Sequence, residues 1–128
     1  MNSAFRILYE CDQYRLYSIY ENVYLKNIHR SESDNDIIVA SVYGDPDSGL
    51  ISFGNDYVAI AGCGITIHFL NGDEGYEIGT EADNVFWTEG IYQSGEDDFN
   101  YVRFTAYTDD GSIRVHRLNV FDRKIEVL

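Results

Sequence analysis

The chain has one proline, Pro46, among 128 residues, and nothing close to the roughly 18 consecutive apolar residues that a membrane-spanning helix needs. Its two cysteines, Cys11 and Cys63, are too few for a disulfide scaffold. They could pair, but the plainer expectation is two small buried hydrophobes in a reducing compartment. Met1-Asn2-Ser3-Ala4-Phe5-Arg6 leads into Glu10 and Asp12 without an apolar stretch of signal-peptide length, so the expected location is the cytoplasm. Between Ser31 and Val102 there is no lysine or arginine at all. A helical period is equally scarce.

Period-two alternation fills the chain instead. Aromatics reach 15%, with eleven tyrosines, and aromatic and β-branched side chains suit a pleated, half-buried surface. Phe5, Ile7 and Tyr9 alternate with Arg6, Leu8 and Glu10. Tyr14–Tyr20 and Val23–Lys26 flank the polar pair Glu21-Asn22, the pattern of a hairpin. Further strands are expected at Ile37–Tyr43, Leu50–Phe53, Tyr57–Ala61, Ile65–Leu70, Tyr76–Ile78, Val85–Tyr92, Tyr101–Tyr107, Ile113–Val120 and Lys124–Leu128. Asn71-Gly72 and Asp110-Gly111 supply residues that tolerate positive φ in tight turns. Thr80 and Asp83 have capping-box spacing, but Val85-Phe86-Trp87-Thr88 prefers strand. One all-β domain over 1–128 is expected, an antiparallel meander of about 10–12 strands forming a sandwich or a closed barrel.

Twenty-two acids against nine bases give a net charge of -13. That opposes direct binding to nucleic acid or an anionic membrane. Residues 1–30 and 103–128 each carry a slight excess of base, so the whole deficit lies in the middle. Fifteen acids stand there unbroken by a base, and many fall in expected turns. They should therefore project together from one rim, where like charges within a Debye length of about 8 Å repel. A cationic partner can use such a field to accelerate association by about 10–10³.

Patterns of bound chemistry are sparse. Asp45-Pro46-Asp47 and Asp34-Asn35-Asp36 have the one-three spacing of an ion loop. Counted from Asp45, however, the sixth residue is Leu50 rather than glycine and the twelfth is Asp56 rather than glutamate. His29, His68 and His116 are too scattered for a zinc pattern. Gly62-Cys63-Gly64 lacks the strand-turn-helix setting of a nucleophile elbow and suits a bulge or tight corner. No phosphate-cradling glycine loop opens a helix. Neither a cofactor nor a metal is expected, and no enzymatic role.

The favoured function is inhibition of a basic protein. Nucleases are natural targets, because their clefts must attract phosphate and are therefore positive. The expected contact residues are Asp73, Glu74, Glu77, Glu81 and Asp83, with Glu89, Glu96, Asp97 and Asp98 beside them and Trp87 and Tyr92 as aromatic anchors. In size, acidity, small β architecture and lack of a catalytic signature, the chain resembles immunity proteins of bacterial toxin systems, including contact-dependent growth inhibition. The resemblance implies a cytoplasmic antitoxin that occludes the active-site cleft of one cognate toxin. Two alternatives stay open: a β-barrel carrier of a small apolar ligand, and an acidic mimic of nucleic acid aimed at a DNA-binding protein.

Overall fold

The computed structural model describes residues 5–29 and 36–128. Glu32, Asp34 and Asn35, and with them most of the second ion-loop candidate, lie outside the described residues. Among the described residues, twelve antiparallel strands form three four-stranded sheets. The first holds β1 (Phe5–Glu10), β2 (Tyr14–Ile19), β3 (Asn22–Asn27) and β4 (Ile37–Ser41). The second holds β5 (Ser48–Ile51), β6 (Tyr57–Gly62), β7 (Gly64–Phe69) and β8 (Tyr76–Ile78). The third holds β9 (Thr88–Tyr92), β10 (Tyr101–Tyr107), β11 (Ile113–Asn119) and β12 (Ile125–Val127). Each sheet is a simple meander in chain order.

The sheets are not closed into a barrel, so the fold is the sandwich of the two expected outcomes. Its second sheet is buried on both sides. Leu50, Tyr57, Ala59, Ala61, Ile65 and Ile67 pack with Val102, Phe104, Ala106 and Leu118 of the third sheet. Ile51, Val58, Ile60 and Cys63 pack with Leu16, Val23, Leu25 and Val39 of the first. Consecutive side chains of a strand point to opposite faces, so a strand apolar at every position, as β6 is, must lie between two layers. The unbroken run Tyr57-Val58-Ala59-Ile60-Ala61 is the sequence signature of that position.

Most expected strands are present to within a few residues, and the differences have local causes. The β2–β3 turn is Tyr20-Glu21 rather than Glu21-Asn22, because Ile19 pairs with Asn22 and Tyr20 takes φ 53°. The strand expected from Val85 begins at Thr88. Before it, Phe86 is held across a turn by its N–H to Gly79 O at 2.9 Å. No helix forms at 80–93. Gly62 and Gly64 pair at the β6–β7 tip, making the expected tight corner. Gly64 has φ 70°, and a Cβ there would sit 2.2 Å from Ile78 O. Cys11 and Cys63 are both free thiols, only Cys63 being fully buried. No helix among the described residues is long and apolar enough to cross a membrane.

Candidate interaction surface

The two ends of β6 organise the molecule's rims. At one end, Thr88 clasps the Gly62–Gly64 tip: its Oγ1 donates to Gly64 O at 2.7 Å and accepts from Gly62 N at 2.9 Å. At the other, Tyr57 donates its hydroxyl to Phe99 O at 2.7 Å and accepts from Gln93 Nε2 at 3.0 Å. Five steps of strand separate these ends, about 17 Å at 3.3 Å per residue. That is roughly twice the Debye length at physiological salt.

This span divides the expected contact residues. Trp87, Glu89 and the loop carrying Glu81 and Asp83 lie toward the Thr88 end, with Glu77 on edge strand β8 opposite Thr66. Asp73, Glu74, Tyr92, Glu96, Asp97 and Asp98 belong to the Tyr57 end, where β7 and β9 finish. The single acidic rim expected from the sequence is thus two rims, because successive turns of a meander alternate between opposite ends of a sheet.

Asp97 is a further correction. Its carboxylate accepts from Arg103 Nε and Nη2, each at 2.8 Å, and from Arg117 Nη1 at 2.9 Å, leaving the side chain only 2% exposed. Arg117 also pairs with Glu126 and lies 4.6 Å from the Tyr101 ring centre. The Arg103 hydrogen bonds, helped by Arg117 and opposed by burial, hold the Asp97 carboxyl below its ordinary range. A group enclosed in this way positions the 93–100 loop and has no oxygen to offer a partner. Glu96 and Asp98 stay exposed beside it.

The Thr88 end has the more complete surface. Trp87 is 52% exposed and forms an isolated bridge with Cys63. Its indole lies 6.4 Å from the ring of Tyr43, itself largely exposed. Trp87 and Glu89 together line two hollows. One, of about 70 Å³, is completed by Thr105, Ala106, Tyr107 and Ile113. The other, of about 390 Å³ and open to solvent, is completed by Arg6, Gly44, Asp45, Pro46, Asp47 and Gly62. Neither is an enclosed interior site of the kind a carrier barrel provides.

Backbone anchoring holds this surface in shape. Relative to β10, β9 has one extra residue between Tyr92 and Glu89, a bulge at Gly90 with φ 63°. The Gly90 N–H turns outward to Asp47 Oδ2 at 2.8 Å, and Ile91 N–H reaches Ser48 Oγ at 3.0 Å. The β4–β5 segment thereby covers the edge of β9. Arg6 donates to Pro46 O and Asp47 O at 2.7 and 2.9 Å, fixing that segment from below. Its guanidinium is the cation within this hollow. Around it stand the exposed carboxylates Asp45, Asp47 and Glu89, with Asp109 and Asp110 on the 108–112 turn at the same end. Asp110 is pushed down to about 2, chiefly by the Thr108 hydroxyl and the Ser112 N–H. It therefore keeps its charge well into acid.

No protein-family model, curated protein or solved structure matches this chain. The surface must be read from its own residues. Tyr43, Asp45, Asp47, Tyr107 and Ile113 were not among the expected contacts. The first three lie in the base-free stretch that pointed toward acids, but no local signal joins them to Trp87, whose neighbours arrive through pairing distant in sequence. His116 is buried against Phe104 and Phe86, with Nδ1 2.9 Å from Arg114 O. Burial lowers the pKa of His68. Among the described residues, no group of three His, Cys, Asp or Glu is placed to hold a metal ion.

Proposed function

We propose that this chain is an inhibitor of the immunity type, which binds a basic protein through the Trp87 end and blocks it by occupation rather than by chemistry. The observation that carries the reading is a half-exposed tryptophan, flanked by Tyr43 and bordered by Asp45, Asp47 and Glu89. Binding energy concentrates in buried aromatic anchors, and surrounding charge mainly sets encounter rate and partner choice. An acidic rim around an aromatic ridge matches a concave cationic site. A nuclease cleft is a site of that chemistry, since it must attract phosphate. In this reading the partner is a cognate toxin nuclease, met in the cytoplasm of the cell that makes the inhibitor.

The test is paired affinity capture at low salt. Wild-type chain and the variant Trp87→Ala/Glu89→Lys are immobilised separately and exposed to native extract, and the retained proteins are assayed for nuclease activity with and without added inhibitor. The expected result is a basic nuclease held by wild type alone, released by salt and silenced by stoichiometric inhibitor. Equal retention by the two proteins, or a retained protein whose activity is untouched, contradicts the reading.

A further inference from the structure

Four aromatic side chains stand out from the Trp87 end, each more than half exposed: Tyr20, Tyr43, Trp87 and Tyr107. Together they touch all three sheets. Tyr20 lies in the β2–β3 turn of the first, Tyr43 follows β4, Trp87 is bridged to Cys63 at the β6–β7 tip, and Tyr107 ends β10 of the third. Each is linked to the next. Glu21, the residue after Tyr20, holds the chain on both sides of Tyr43: its O accepts from Val42 N–H at 2.8 Å and its Oε2 from Gly44 N–H at 2.9 Å. The ring centres of Tyr43 and Trp87 are 6.4 Å apart, and Trp87 and Tyr107 are two walls of one hollow. The four rings form a ridge across three layers, about 20 Å long at roughly 10 Å between layers.

Tyr20 occupies its place against its own backbone preference. It holds φ 53°, a left-handed conformation in which a bulky side chain is an outlier. A ring that stays exposed there recovers little by packing, so the position points to function rather than to folding.

A carboxylate accompanies each ring. Glu21 follows Tyr20 directly, and Asp45 stands two residues after Tyr43. Glu89 and Asp109 stand two residues after Trp87 and Tyr107. All four acids are exposed. Two guanidiniums lie at this end, Arg6 bonded to Pro46 O and Asp47 O and Arg114 bonded to Leu128 O. Among the described residues, neither pairs with an acidic side chain. Rings alternating with carboxylates suit a guanidinium, which stacks its plane on an aromatic face and directs a fork of N–H groups to an acceptor. An ammonium is a compact, strongly hydrated point charge and gains less from the rings.

We propose that the occupant of this ridge is an arginine-lined surface of the partner, and that Tyr20 and Tyr107 determine specificity beside Trp87. The proposal rests on the reading of the Trp87 end as the binding end. It adds the side-chain chemistry that is recognised and a footprint as wide as the molecule.

Trp87 is the only tryptophan of the chain, so its fluorescence reports from the ridge itself. Full-length chain is titrated at low salt with nona-arginine and, separately, with nona-lysine. Nona-arginine is expected to change the Trp87 emission saturably and to bind at least about fivefold more tightly than nona-lysine. Tyr20→Asn/Tyr107→Ser leaves net charge unchanged and gives position 20 a residue at ease with positive φ. It should weaken nona-arginine at least about fivefold with the circular dichroism spectrum unchanged. Phe53→Ser/Phe99→Ser removes two comparably exposed rings from the Tyr57 end and should bind as wild type does. No emission change with nona-arginine, equal binding of the two peptides, a tyrosine variant that binds like wild type, or an equal loss in the phenylalanine variant would each overturn the proposal. The same tyrosine variant separates it from the inhibitor reading. A basic nuclease retained equally by wild type and by Tyr20→Asn/Tyr107→Ser would keep the inhibitor and reject the ridge. The expected peptide results with no nuclease retained from extract would keep the ridge and reject the inhibitor.

Discussion

Trp87 lies opposite Cys63 in an isolated antiparallel bridge, so the exposed indole is rooted at the tip of a hairpin whose strands are largely buried. The next residue, Thr88, closes the junction by bonding to both glycines of that tip. An anchor residue on a mobile loop would lose entropy on binding. One seated on the central sheet has already lost it in folding.

Thr88→Val therefore reports on that junction. The substitution keeps the side chain's shape and leaves the buried Gly62 N–H without its acceptor. A loss of about 1–3 kcal/mol is expected in denaturant unfolding, the cost of an unsatisfied buried donor. An unchanged midpoint would mean that the junction bears no load.

Two glycines with positive φ should respond unequally to alanine. Gly64 combines φ 70° with backbone atoms inside contact distance of an added Cβ, whereas Gly111, at φ 84°, has open space around it. Gly111→Ala should cost about 1 kcal/mol from backbone conformation alone. Gly64→Ala should cost at least about 2 kcal/mol more, because Ile78 and Gly79 must move. Thermal melts of the two variants side by side settle the order.

Asp97 makes stability depend on pH with a definite sign. Its carboxyl sits lower in the folded chain than in the unfolded one, above all through the hydrogen bonds from Arg103. Its contribution is complete above the ordinary carboxylate range and disappears as pH falls through the lowered value. Asp97→Asn should be less stable near neutrality by about 2 kcal/mol. It should also lose less on acidification than wild type does. Parallel pH profiles of the two proteins would show that the pair contributes nothing.

Much of the fold was legible because a meander declares itself locally. Alternation located the strands, and Asn71-Gly72 and Asp110-Gly111 marked turns in which Gly72 and Gly111 indeed take positive φ. The three-layer order was less visible. It depends on reading β6 as apolar on both faces, and a short apolar run has the same composition whether one layer covers it or two. The candidate interaction surface was the least legible part. Trp87 and Glu89 stood out in the sequence, but Tyr43 and Tyr107 reach them only through contacts between sheets. Arg103 and Arg117 captured Asp97 from a neighbouring segment that charge counting had treated as separate from the acidic stretch.

The proposed reading makes the Trp87 end the one that steers a basic partner, and the association rate tests this most directly. The basic protein captured on wild-type chain should be mixed with wild type, with Asp45→Lys/Glu89→Lys and with Asp73→Lys/Glu74→Lys, each across a salt series. The two double variants change net charge equally but alter opposite ends of β6. Reversal at the Trp87 end should slow association by about tenfold or more at low salt and flatten its salt dependence, while reversal at the Asp73 end leaves the rate close to wild type. Equal slowing by both variants, or by neither, would contradict a binding surface centred on Trp87.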